Sequence, residues 1–254
     1  MKKLILLFSI SFLIIFSSCK KDDSNPTTSE NLSTLVAYYP FNGNANDESG
    51  NGNNGTVDGA TLTVDRFGFQ NKAYSFNGTD NEIQVPHTEA LNILTNLTIS
   101  AWFNSIEAPL FRTSHTILAK RSQSSFGSFP YLLAINYQYS IPSDYKKPIF
   151  VTAANNNYQY LQSTTDISNN SWNHIVSVIS NNNLRIFLNG TLILNTTVNP
   201  QLRVGNSASL LIGSGARSDK PAEQFKGQID DIRIYNRALT DSEIQTLYHE
   251  GGWQ

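Results

Sequence analysis

Apolar and polar residues alternate in short stretches along most of this chain. In residues 97–103 (LTISAWF), Leu97, Ile99, Ala101 and Phe103 fall on one side and Thr98, Ser100 and Trp102 on the other. That period of two makes a strand with one buried face. Comparable runs predict strands at residues 35–41, 73–76, 82–85, 116–119, 131–137, 149–153 and 158–162. The clearest stretch is residues 172–198, where residues 174–178 pass through Asn181-Asn182-Asn183 into residues 184–188. Asn189-Gly190 then turns directly into residues 191–194. Asn-Gly tolerates positive φ at both positions of a type I′ turn, so an antiparallel meander is expected. Residues 209–213 and 227–235 supply the last strands. One helix follows: Thr240 caps it, Glu243 sits at capping-box spacing ahead of Ile244, Leu247 and Tyr248, and Gly251-Gly252 ends it. About a dozen short strands and one terminal helix predict an all-β, two-sheet antiparallel sandwich.

The N-terminus breaks the pattern. Lys2 and Lys3 precede an apolar run at residues 4–16, shorter than the roughly 20 residues a membrane-spanning helix needs. Residues 1–18 therefore read as a signal peptide. Ser17-Ser18 stands directly before Cys19, the only cysteine. This boundary resembles the lipobox of bacterial lipoproteins, which implies that Cys19 is lipidated and becomes the mature N-terminus; a plain secretory signal is the alternative. Lys20-Lys21-Asp22-Asp23 is similar to the export tag of Bacteroidetes lipoproteins and implies an outer-membrane anchor facing outward, against the alternative of a charged spacer. Residues 19–34 form the lipidated N-terminus and a tether, with too little apolar surface to repay ordering. The membrane is expected to be met through the lipid alone.

Residues 35–254 remain, enough for one substantial core in a single domain. Net charge is −2 over the whole chain and no basic cluster could neutralise a run of phosphates, which argues against nucleic acid. With Cys19 assigned to lipid, stability must come from packing or a metal. His87, His115, His174 and His249 show no metal-ligand spacing. His174, in a strand beside Trp172, reads as a hydrogen-bonded, semi-buried side chain. Trp172 is expected in the core and Trp253 in a loose tail.

Several segments, in order, carry a resemblance: residues 38–55 (YYPFNGNANDESGNGNNG), 73–86 (AYSFNGTDNEIQVP), LTISAWF, WNHIVSV (172–178), LRIFLNG, LLIGSG and residues 227–244 (GQIDDIRIYNRALTDSEI). Together they resemble the laminin-G-like, pentraxin-like modules of the concanavalin A-like lectin/glucanase superfamily. The resemblance spans roughly residues 35–247. It implies a jelly roll of two curved sheets, commonly with a structural calcium at the rim, and a function in carbohydrate binding, protein adhesion or service to a neighbouring enzyme. Fold alone does not choose among these.

Calcium takes six to eight oxygen ligands, and Asn42, Asn44, Asn46, Asp47, Glu48 and Asn51 crowd one Gly-rich loop. The alternative is that these residues form turns and bond their own backbone. Asp230, by alternation, shares the face of Ile232 and Ile234, where a carboxylate needs Arg233, Arg185 or a cation as partner. In the glucanase branch a metal-binding aspartate precedes such a strand, and the resemblance points to Asp230 with Asn44 and Gly78. The expected calcium ligands are Asp230, Asn44, Asp47 and Gly78.

Catalysis has little support. Glucanases of the superfamily carry Glu-x-Asp-x-x-Glu on one strand, and that motif is absent. Asp230-Asp231 are adjacent strand residues, expected to face opposite ways; Glu82, Glu107, Asp144 and Asp166 are scattered. No Gly-x-Ser-x-Gly occurs either. Binding fits better. Tyr131, Tyr137, Tyr139, Tyr145, Tyr158 and Tyr160 cluster mid-chain with Phe126 and Phe129. Aromatic faces hold sugars through their C–H groups. Tyr131, Tyr137, Tyr139, Tyr158 and Tyr160 are the candidate ligand residues, unless they merely pack. The expected partner is a glycan, or alternatively a surface protein; a glycoside hydrolase is a distant third reading.

Overall fold

The computed structural model describes residues 34–106, 114–122, 128–135, 146–215 and 223–254. Cys19 and the rest of residues 1–33, Glu107, Phe126, Tyr137, Tyr139, Asp144 and Tyr145 lie outside the described residues. The strands in chain order are β1 (Leu35–Tyr39), β2 (Thr56–Asp58), β3 (Thr61–Thr63), β4 (Ala73–Asn77), β5 (Glu82–Val85), β6 (Leu97–Ser105), β7 (His115–Lys120) and β8 (Phe129–Ile135). They continue as β9 (Pro148–Ala154), β10 (Asn157–Gln162), β11 (Trp172–Ser180), β12 (Asn183–Leu188), β13 (Thr191–Thr197), β14 (Leu210–Ile212) and β15 (Lys226–Tyr235), before one helix, α1 (Asp241–Tyr248).

These form two antiparallel sheets, as the alternation predicted. One runs β13-β12-β11-β6-β15-β4-β3, with β1 also paired to β15; the other runs β10-β9-β8-β7-β14-β5-β2. Leu97, Ile99, Ala101 and Phe103 all enter the main core, meeting Leu118, Leu133, Phe150 and Ile212 from the facing sheet. β2 and β3 were not predicted; three residues each are too few to display a period.

Asn189 and Gly190 hold φ at 50° and 72°, and the same left-handed pairs occur at Asn181-Asn182 and Asn155-Asn156. All three join neighbouring strands through two-residue hairpins, the geometry the Asn-Gly signal foretold. The last of them, Asn155-Asn156, sends β9 back as β10.

The outer face of the first sheet is covered by α1. Ile244 and Leu247 pack with Val176, Val178, Phe187 and Leu35. Thr240 accepts from the Glu243 backbone while Glu243 reaches back to the Thr240 amide, the expected capping box. The outer face of the second sheet buries Phe129, Leu132, Ile149 and Val151.

β15 holds β6 along one flank, but its other flank changes partner. Lys226 to Ile229 pair with β4, whereas Ile232 to Tyr235 pair with β1. A bulge between Asp230 and Arg233 marks the changeover, and Asp231 there has φ of 52°. One extra residue shifts the phase of the strand. Ile229, Ile232 and Ile234 face the core, and Asp230 does not share their side, contrary to the strict alternation assumed from sequence.

Candidate functional site

The bulge brings the two aspartates together on one cation. Arg66 donates from Nη1 to Asp230 Oδ2 at 2.9 Å and from Nη2 to Asp231 Oδ2 at 2.7 Å. Adjacent strand residues were expected to face opposite ways; the left-handed Asp231 removes that constraint. Arg233 lies 3.3 Å from Asp231 Oδ1, pairs with Glu250 at 2.7 Å and donates to Tyr38 Oη at 3.0 Å. Burial, then the neighbouring Asp231 charge, push the Asp230 carboxyl up to about 8 against the pull of Arg66. Burial acts the same way on Asp231, but Arg233 and Arg66 outweigh it and hold that carboxyl below its usual value. The pair is thus one ionised and one reluctant carboxylate under shared guanidinium groups.

Arg66 also stacks 4.6 Å over the Trp102 ring and 4.5 Å over Phe67. Trp102 is fully buried in an aromatic set with His174 at 4.9 Å, Tyr248 at 5.9 Å and Trp253 at 5.1 Å. Trp253 is therefore seated against Trp102 rather than trailing, while Trp172, expected in the core, is only half-buried. His174 is fully buried rather than semi-buried, with Nε2 2.8 Å from Ser100 Oγ.

Beside the aspartates opens a cleft of about 150 Å³, lined by Asn42, Asp65, Arg66, Phe67, Lys72 and Asp230 among others. It lies where β1 and β4 part company along β15. Asp65 Oδ1 accepts from the Phe67 and Phe69 amides at 2.9 and 2.8 Å, shaping the loop that carries Arg66. Lys72 Nζ donates to Asn42 Oδ1 at 2.7 Å.

The four residues nominated for calcium do not meet in one shell. Asp230 is engaged by Arg66, which a cation would have to displace. Asp47 spends its carboxylate on the backbone amides of Tyr38, Ser49 and Asn53, each at 2.9 Å, so it organises the loop. Asn44 Oδ1 accepts from the Asn46 amide at 2.8 Å, the turn-forming role that was the alternative. Gly78 turns with φ of 78° beside Lys226; Asp230 is four positions further along β15 than Lys226, roughly 13 Å. Among the described residues no group of three or more His, Cys, Asp or Glu side chains is placed to hold a metal. The described donor set does not fit calcium at the expected place.

The tyrosines separate as well. A bulge between Phe129 and Leu132 turns Tyr131 into the core, fully buried, with Oη donating to Leu91 O at 2.8 Å. Tyr131 is a packing residue and is withdrawn as a ligand contact. Tyr158 and Tyr160, by contrast, lie at the surface. They are 40% and 44% exposed, their rings 6.0 Å apart and within 6° of parallel. Phe129 supports Tyr158 from 5.6 Å. Both sit on β10, which among the described strands pairs only with β9 and so forms the edge of its sheet. Gln159 between them points the other way, donating to Thr197 O at 3.0 Å and accepting from the Asn199 amide at 2.7 Å. That clip ties the edge of one sheet to the segment leaving β13 in the other.

Sequence reasoning missed Arg66, Lys72 and Phe67. Arg66 stands 164 residues from Asp230, in a loop without periodicity, and no local pattern announces such a pairing. The one available signal was the acidic pair itself, which required cations from somewhere.

A family model described as the concanavalin A-like lectin/glucanases superfamily, Laminin_G_3, matches residues 77–245. No curated protein sequence matches the chain. Among solved structures, domain 4 of AbnA, a GH43 extracellular arabinanase from Geobacillus stearothermophilus in complex with arabinotriose, is similar with a TM-score of 0.65 at 21% identity, covering 85% of this chain and 98% of that one. The binding domain of botulinum neurotoxin DC in complex with rat synaptotagmin II has a TM-score of 0.62 at 16% identity, covering 86% of this chain and 52% of that one. Trypanosoma rangeli sialidase has a TM-score of 0.62 at 16% identity, covering 85% and 32%. At such identities the likeness is one of fold.

Proposed function

This chain belongs to the concanavalin A-like lectin/glucanases superfamily, and from that premise we propose that it is a non-catalytic carbohydrate-binding protein, anchored at the outer face of a bacterial outer membrane through a lipid on Cys19. The observation that carries the binding reading is the parallel, exposed Tyr158–Tyr160 pair on the edge of a rigid sandwich. Two parallel rings on one side of an edge strand offer aromatic surface to the C–H faces of sugar residues. Both side chains belong to a regular strand backed by Phe129, so little ordering entropy is lost on binding. The arabinotriose complex of the arabinanase domain supports a glycan as the first ligand class to try.

The carboxylates do not argue for hydrolysis. Asp230 and Asp231 are bound by arginines, Asp166 pairs with Lys147, and Glu82 stands on β5 of the other sheet.

The test is a glycan array followed by calorimetry with arabinan and other oligosaccharides. Tyr158→Ala and Tyr160→Ala should each weaken binding about tenfold, near 1.4 kcal/mol, with folding unchanged because both rings are exposed. Binding that survives the double substitution would remove the tyrosine strip as the site. A silent array from a folded protein would move the reading to a protein ligand, the class that the synaptotagmin complex of the neurotoxin domain represents.

A further inference from the structure

The cleft at the β15 bulge has a composition of its own. The Arg66 side chain is 4% exposed. Its two Nη groups serve Asp230 and Asp231, while its Nε–H has no acceptor among the described residues. A buried donor without an acceptor is costly, and a ligand oxygen would relieve it. Lys72 meets one amide oxygen and no carboxylate among the described residues. Asp65 commits Oδ1 to two amides, with no hydrogen bond to Oδ2 among the described residues. The cleft therefore sets a donor, Lys72, beside a spare acceptor, Asp65 Oδ2, and a ligand oxygen reaches the buried Nε–H only when the Arg66 side chain shifts.

Charge narrows the ligand. Asp65, Asp230 and Asp231 stand against Arg66 and Lys72 in the lining, and Arg233 offsets Asp231 from behind. The balance is close to neutral, so an ion of either sign gains little. Hydroxyl groups both donate and accept, which matches what the lining offers. Phe67, 37% exposed at the rim, adds an apolar surface for C–H groups. About 150 Å³ lies below the roughly 300 Å³ at which pockets for drug-sized ligands begin, enough for one ring but not for a chain.

We propose that this cleft is a second carbohydrate site, separate from the tyrosine strip, that takes a single neutral sugar ring such as the end of a glycan chain. Arg66 Nε–H and Lys72 donate to its hydroxyls, Asp65 accepts from them and Phe67 flanks the ring. The strip and the cleft lie on different sheets and share no residue, so each stands without the other.

The proposal is tested by NMR of the ¹⁵N-labelled protein titrated with methyl glycosides of glucose, galactose, mannose and xylose. At least one glycoside should shift the Arg66 Nε–H and the Trp253 indole resonances, the latter through Phe67, 6.0 Å from Trp253. Lys72→Met and Asp65→Asn, the second retaining an oxygen for the two amides, should each weaken that response about tenfold. In the Tyr158→Ala/Tyr160→Ala protein it should persist. Shifts confined to β10 resonances would overturn the cleft and leave the tyrosine strip standing. Shifts nowhere would overturn both. A response of Arg66 Nε–H to calcium chloride, with none to any sugar, would overturn the sugar site in favour of a cation site.

Discussion

His174 is the side chain whose titration the fold suppresses most visibly. Burial, then the Arg233 charge, hold its imidazole down at about 3, against about 6.5 when unfolded. As pH falls below 6.5 the unfolded chain takes a proton that the native ring refuses, so this contribution to stability is complete above 6.5 and is lost progressively on acidification. Asp230, held up to about 8, tilts the curve the other way, favouring the native state less as pH rises from about 4 toward 8. Comparing wild type with His174→Gln separates the two. Between pH 6.5 and 4.5 the wild-type melting temperature should fall more steeply than the variant's; parallel curves would mean that the imidazole is not protected as described. The contact with Trp102 that protects His174 was out of reach of sequence reading, which placed the histidine beside Trp172, its chain neighbour. Only the pairing of β11 with β6, His174 opposite Trp102, selects the right tryptophan.

At the scale of elements, alternation located nearly every strand of useful length and the capping box located α1. Failures came where a strand departs from its own period. Tyr131 and Asp230, two of the misplaced candidates, adjoin bulges, and one inserted residue exchanges inside for outside. Tyr158 and Tyr160 stand on a strand with regular pairing to β9 throughout, and there the period of two puts both rings on the same exposed side. α1 stabilises the first sheet only while its start is fixed. Thr240→Ala removes the side-chain acceptor for the Glu243 amide and should cost about 0.5–2 kcal/mol. In a domain of this size that is about 2–4 °C of melting temperature per kcal/mol, read by calorimetry. An unchanged melting temperature would show that the apolar contacts of Ile244 and Leu247 alone hold the helix.

For the molecule as a whole, the likeness to the superfamily was legible because it is spread through seven ordered segments, each tied to a strand or turn. The candidate site was legible only in part, because the cleft draws residues from both ends of the domain that no spacing connects. The proposed anchor is tested on the intact protein in its cell. With a lipid on Cys19, Cys19→Ser should move the protein from the membrane fraction to the soluble one, since acyl chains would then supply the attachment; continued membrane fractionation would refute that lipid.

The changeover of partners along β15 has a mechanical side. β1 is the first described strand, and among the described strands it joins the first sheet through β15 alone, antiparallel, with Leu35 opposite Tyr235 and Tyr39 opposite Ile232. A load that draws Leu35 away from Tyr235, across the strand direction, would open the bonds of β1 in sequence from that end. Tyr38 would leave with the strand, and with it the contact to Arg233 and one wall of the cleft. β10 lies in the other sheet, so loss of β1 would open the cleft while leaving Tyr158 and Tyr160 in place.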